Sequence, residues 1–178
     1  MPNITLTLDG QVFKRQYLIY VIELVNGDRK YFYVGQTGDR RYTTARPPVR
    51  RLIGHLEDVG RSTQNQLYRF VAVDILRIED ARKQATFTGD IKQRVEDFFV
   101  QSVVHMHVYQ VEPFTPGISH VEHCAIRERV EELERHVLKA FKSAGFSLAN
   151  RRFHAPKERV PPYPEVFSQV LGDFSLLN

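Results

Sequence analysis

The sequence predicts an α+β fold, a small and mainly antiparallel β-sheet flanked by helices. Three observations carry this. Residues 17–25 and 30–35 are rich in β-branched and aromatic side chains and are separated by Asn26, Gly27 and Asp28, the signature of a hairpin. Residues 104–112 alternate apolar and polar side chains, as a half-buried strand does. Residues 49–59, 91–103 and 119–143 instead place their apolar residues at helical spacing, and strands and helices segregated in this way belong to the α+β class.

In chain order, residues 3–13 alternate around Asp9 and Gly10 and read as a short hairpin within an extension over 1–15. In the main hairpin, pairing Val25 with Lys30 sets Tyr20 opposite Gly35. Side chains repeat every second residue, so Tyr20 and Tyr33 then project from one face. Residues 36–45 are polar and irregular. Pro47 and Pro48 suit a helix start, followed by apolar residues at 49, 52, 53 and 56. The run 67–73 fits a helix end or a strand, and a helix is the preferred reading for 63–87. Thr88 or Asp90 can cap a helix that places Ile91, Val95, Phe98, Phe99 and Val103 on one side. Ser119 opens a long helix to Ser143, ended by Gly145. The tail, 151–178, carries Pro156, Pro161, Pro162 and Pro164 and is extended until a short helix at 165–171. A length of 178 residues suits one domain spanning 1–178.

Composition excludes several classes. The hydrophobic fraction of 42% and charged fraction of 26% are those of a globular chain. No apolar run approaches the roughly 20 residues that cross a bilayer, and the first residues lack a secretory pattern. Cys124 is the single cysteine, which excludes an internal disulfide and a Cys-rich zinc module. A cytoplasmic location and no membrane partner are the expectations. The net charge is +4, with a pI near 9.3. Arg40, Arg41, Arg46, Arg50 and Arg51 crowd one stretch with only Asp39 beside them, which suits phosphate contacts or, more simply, a solvated basic loop.

Several side chains are placed for chemistry. Tyr20 and Tyr33 share a sheet face, though tyrosine is also a favoured strand residue. Arg51 and His55 stand i, i+4 on one helix face, where a guanidinium can hold phosphate oxygens while an imidazole moves a proton. On the long helix, Ile126, Val130, Leu133, Val137 and Phe141 form one apolar seam. Glu131 and Glu132 point away from it, with Arg135 and His136 as their i+4 partners. Glu134 projects within the apolar arc, which suits either a metal ligand or a carboxylate reaching out to solvent. His120, His123 and Cys124 have metal-compatible spacing but no second cluster, and are expected on a partly exposed helix face. His105, His107 and Tyr109 share a strand face and read as half-buried polar residues. The segment from Gly35 to Gly38 is too short for a phosphate-binding loop.

The ordered set of Leu18-Ile19-Tyr20, a hairpin, Tyr33-Val34-Gly35-Gln36-Thr37, then Arg51 and His55, and later Glu134 and Asn150, resembles the GIY-YIG nuclease family over residues 17–150. Two departures stand out. Leu18 replaces the first glycine of the pattern. An insertion over about residues 40–48 lengthens the gap between Tyr33 and Arg51, and the Arg-x-x-x-His spacing to His55 selects Arg51 over Arg50 or Arg41.

The resemblance implies a catalytic core over 17–150 with insertions, and phosphodiester hydrolysis with one Mg²⁺ or Mn²⁺ ligated by Glu134. Tyr20, assisted by Tyr33 or His55, would orient or deprotonate water, Arg51 would neutralise developing charge, and Asn150 would close the motif. An ordinary tyrosine pKa of about 10 is high for a base, so either the site lowers it or the phenol only positions water. The chain looks like a compact restriction-type member cutting double-stranded DNA, with a homodimer as the expected state and Arg40, Arg41, Arg46 and Arg50 as DNA contacts. A non-catalytic DNA-binding module on this scaffold and a structure-selective repair or defence nuclease are the alternatives.

Overall fold

The computed structural model describes residues 7–57, 65–82, 87 and 89–177. The architecture is α+β, with a three-stranded antiparallel sheet in the order β2-β1-β3 and helices on both faces. Strand β1 is Gln16–Asn26, β2 is Arg29–Gln36 and β3 is Val103–Pro113. β1 is central because it is apolar on both faces, as a strand covered from two sides must be. Its even-numbered residues Leu18, Tyr20, Ile22 and Leu24 face a core with Leu67, Phe70, Val71 and Val95. Ile19 and Val21 face a second core with Val130, Leu133, Val137 and Phe141. The hairpin closes through a two-residue loop with Gly27 at φ 58°, a conformation that favours glycine. Val25 pairs with Lys30 and Tyr20 with Gly35, the expected register.

Helix α1 is Pro48–Leu56 and ends as Glu57 turns extended, so residue 57 is not helical as expected, and 58–59 lie outside the described residues. The preferred helical reading of 63–87 holds over its described centre. Helix α2, Gln66–Phe70, continues into a π turn over Val71–Ile75, closed by Leu76 N–H donating to Val71 O. Helix α3, Gly89–Val100, leads into β3. Helix α4, His120–Ser143, is capped by the Ser119 hydroxyl accepting from Glu122 N, and it stops at Gly145, φ 80°. There the Phe146 and Gly145 amides fold back onto Phe141 O and Lys142 O. Helix α5 is Pro164–Asp173. Among the described residues no helix is long and apolar enough to cross a membrane.

The N-terminal hairpin is corrected. Residues 3–6 lie outside the described residues, and Gly10–Phe13 form a 3-10 turn. The Asp9 carboxylate accepts from Gln11 N, while Val12 N and Lys14 N donate to Asp9 O and Gln11 O. Asp9-Gly10 thus starts a turn instead of forming a hairpin tip, because the local side chain captures the amide a strand partner would need.

Beyond α4 the chain returns to the sheet. Phe32 N donates to Ser147 O at 2.8 Å and Ala149 N to Phe32 O at 2.7 Å. Two residues along β2, Asn150 replaces the backbone: its Oδ1 accepts from Val34 N at 2.9 Å and its Nδ2 donates to Val34 O at 2.7 Å. The tail is then pinned by Glu132, whose Oε1 accepts from the amides of Lys157 and Glu158.

Candidate active site

Tyr20 lies at mid-strand on β1 and is buried. Across from it Gly35 has no side chain, and a Cβ there would sit 2.5 Å from Tyr20 Cζ. The ring occupies that space and extends to α1, where its hydroxyl lies 2.9 Å from His55 Nε2. Tyr33, two residues before Gly35, is on the same face. Its ring centroid is 4.2 Å from that of His55 and 6.2 Å from that of Tyr20. His55 is 2% exposed, enclosed by the two phenols.

Arg51, one turn earlier on α1, donates from Nη2 to Gln36 O at 2.9 Å. Its Nε is buried and has no hydrogen-bond partner among the described residues. A guanidinium fixed at one end holds a permanent positive charge beside the phenols.

Glu134 comes from α4, which covers the opposite face of the sheet, yet its charge acts on both tyrosines and on Arg51. It is half-buried and makes no hydrogen bond or ion pair among the described residues. Burial, then the nearby Glu131, push its carboxyl up to about 7, against the lowering pull of Arg51, Arg40 and Arg135. Burial also raises Tyr20 to about 12, with Arg51 opposing and Glu134 adding to the rise, and it raises Tyr33 well above its ordinary value. Both phenols are therefore neutral at pH 7 without a bound cation.

No group of three or more His, Cys, Asp or Glu side chains among the described residues is placed to hold a metal ion. One unpaired carboxylate still fits Mg²⁺, which keeps several waters and takes its remaining ligands from substrate phosphate. The donor set here thus suits a hard cation that substrate completes.

The remaining expectations divide. Asn150 touches the β2 backbone beside Tyr33 and belongs to the support of the site. Arg40 Nε donates to Glu131 Oε1 at 2.9 Å and Arg46 Nη2 to Asp39 Oδ2 at 2.7 Å, whereas Arg41 and Arg50 are exposed. Glu131 and Glu132 are both buried, against expectation. Glu131 pairs with Arg127 and Arg40, while Arg135 goes to Glu132, with His136 3.8 Å from the same residue. The arginine loop and the tail cover that side of α4, which the helix alone does not reveal. His123 is also buried instead of partly exposed, between the Tyr17 hydroxyl at 2.6 Å and Asp39 O at 2.8 Å. His107 and Tyr109 lie on the α4 and α5 face, away from Tyr20.

Two supports were not foreseen from the sequence. Thr37, fully buried, bridges Gln16 O and Leu18 N through its hydroxyl, tying the end of β2 to β1. Asp39 organises the arginine loop, and its standing as the one acid beside five arginines was the available signal. No protein-family model, curated protein or solved structure matches this chain.

Proposed function

We propose that this chain is a metal-dependent DNA endonuclease that hydrolyses phosphodiester bonds, a sequence-specific enzyme of the restriction type acting on double-stranded DNA in the cytoplasm, as a homodimer. The observation that carries this reading is the convergence of Tyr20, Tyr33, Arg51 and His55, drawn from three elements, into one cluster within the electrostatic reach of the unpaired Glu134. These are the residues that the resemblance to GIY-YIG nucleases singles out.

Glu134 would hold Mg²⁺ or Mn²⁺, which when bound polarises a phosphate oxygen and stabilises the leaving 3′ oxygen. Arg51, anchored on Gln36 O, neutralises charge that develops on the phosphoryl oxygens through its guanidinium charge. Tyr20, whose hydroxyl lies against His55, works as a relay. It donates its proton to His55 Nε2 as it takes one from the attacking water, and His55 is the net base. The water oxygen bonds to phosphorus, the bond to the 3′ oxygen breaks, and solvent protonates the leaving oxygen. Tyr33 walls His55 from solvent and keeps the imidazole in register with Tyr20. The exposed Arg41 and Arg50 suit phosphate contacts outside the reacting group.

Plasmid and genomic DNA incubated with the protein and Mg²⁺ or Mn²⁺, beside a Glu134→Ala variant, test this. Discrete fragments lost in the variant are expected. A smear lost in the variant would move the reading to a nonspecific or structure-selective nuclease. Tight, salt-sensitive binding without cation-dependent cleavage would replace it with a non-catalytic binding module.

A further inference from the structure

The basic loop over residues 38–46 is a built object. Gly38 and Ala45 pair as an antiparallel bridge, and Arg46 N donates to Thr37 O. Inside it, Asp39 uses every acceptor. Oδ1 takes the amides of Arg41 and Tyr42, Oδ2 takes Arg46 Nη2, and the backbone carbonyl takes His123 Nε2–H at 2.8 Å. With its Nε2 donating, His123 accepts on Nδ1 from the Tyr17 hydroxyl at 2.6 Å, and the imidazole is satisfied on both sides. The loop also rests on α4: a Cβ at Gly38 would stand 2.9 Å from Arg127 Cγ.

This wiring satisfies Asp39 and Arg46 within the loop and ties Arg40 to Glu131 on α4. Arg41 and Tyr42 are left outside, with the Arg41 guanidinium 5.6 Å from the Tyr42 ring centroid and Tyr42 57% exposed. More than half of the Tyr42 ring thus stands open to solvent on a closed, arginine-bearing loop. Its root adjoins the site, since Arg40 pairs with Glu131 and its charge reaches Glu134.

We infer that the Arg41–Tyr42 tip is a preformed contact for duplex DNA, with Arg41 on phosphate and the Tyr42 ring against sugar and base, and that buried His123 is the positioning residue that holds this tip in place. The inference rests on the nuclease reading and deepens it by naming the element that engages the polyanion on the Glu134 side. Preorganisation matters because a loop already ordered loses little conformational freedom when it binds.

The test is fluorescence anisotropy of a labelled DNA duplex with the full chain in EDTA, over a series of salt concentrations. Tyr42→Ala should weaken binding at every salt concentration with the salt slope unchanged, because the ring is an uncharged contact. Arg41→Ala should weaken it and lower the salt slope by about one, as for one lost phosphate contact. His123→Ala should weaken binding with circular dichroism unchanged. His123→Gln, whose amide can still donate to Asp39 O, should restore most of the affinity. If the native chain binds duplex and both tip variants bind equally well with the same salt slope, the inference is wrong and the nuclease reading stands. If the native chain binds no duplex here yet cleaves DNA with Mg²⁺ or Mn²⁺, the inference is wrong; if it does neither, the nuclease reading fails and takes the inference with it.

Discussion

The ring of Tyr20 fills the space that a side chain at Gly35 would occupy, and this fit aims its hydroxyl at His55. Gly35→Ala would therefore displace the phenol instead of merely crowding a strand. Overpacking of this kind costs about 1–3 kcal/mol of stability. A displacement of about 1 Å at a reacting group costs on the order of 10²-fold in rate. The expected variant stays folded with a lowered melting temperature and loses cleavage disproportionately. A variant that melts lower but cleaves at the native rate would show that the Tyr20–His55 alignment is not used.

If the proposed cleavage occurs, Glu134 sets its acid limb. Its folded value, about 7, lies above the ordinary 4.5, so the folded state holds a proton that the unfolded chain has released across that window. Ionising Glu134 thus lowers stability as pH rises toward 7, while a bound cation requires the ionised form. Cleavage at limiting Mg²⁺ should rise with pH through about 7, and the limb should move to lower pH as Mg²⁺ is increased. Rate profiles at two metal concentrations measure this. A limb that stays in place would mean that Glu134 does not bind the cation.

Asn150 supports the site without touching the reacting groups. It makes both hydrogen bonds to Val34, next to Tyr33 on β2. Asn150→Ala should cost about 1–2 kcal/mol for the two bonds. It should also speed hydrogen exchange at the Val34 amide, with a rate loss smaller than that of Tyr20→Phe. Native exchange at Val34 alongside a large rate loss would instead put Asn150 in contact with substrate.

The tail should come loose in acid through Glu132. Burial alone would raise this carboxyl, but the amides of Glu158 and Lys157 and the Arg135 guanidinium outweigh it and hold the value below 4.5. A depressed folded value means that the stabilisation is present above 4.5 and is lost as pH falls through the folded value. Glu132→Gln should flatten the acid limb of the melting curve and expose residues 151–160 to limited proteolysis at neutral pH. An unchanged proteolysis pattern would mean that the tail is held elsewhere.

The hairpin and its register were legible in the chain, because turn chemistry at Asn26 and Gly27 and a period of two are local properties. The same holds for α4, where Ser119, an apolar seam and Gly145 mark start, face and stop. The hairpin sets Tyr20 beside Tyr33, and the four-residue spacing on α1 stacks Arg51 over His55, without any tertiary contact. Local reading failed at Asp9-Gly10, where a turn signal serves a 3-10 turn as readily as a hairpin.

Periodicity located the helix face of Glu131, Glu132 and His123 but not what covers it. The arginine loop and the tail bury all three, and pairing Glu131 with Arg40 joins residues 91 positions apart. Asn150 and Val34 are 116 positions apart, and nothing in the composition of either segment calls for the other. The pattern of side chains along the chain thus determined which elements form and which face each residue takes. The tertiary structure decided which buried polar groups meet, because such groups must find partners wherever the fold brings them, and that is also what left Glu134 and the Nε of Arg51 without one among the described residues.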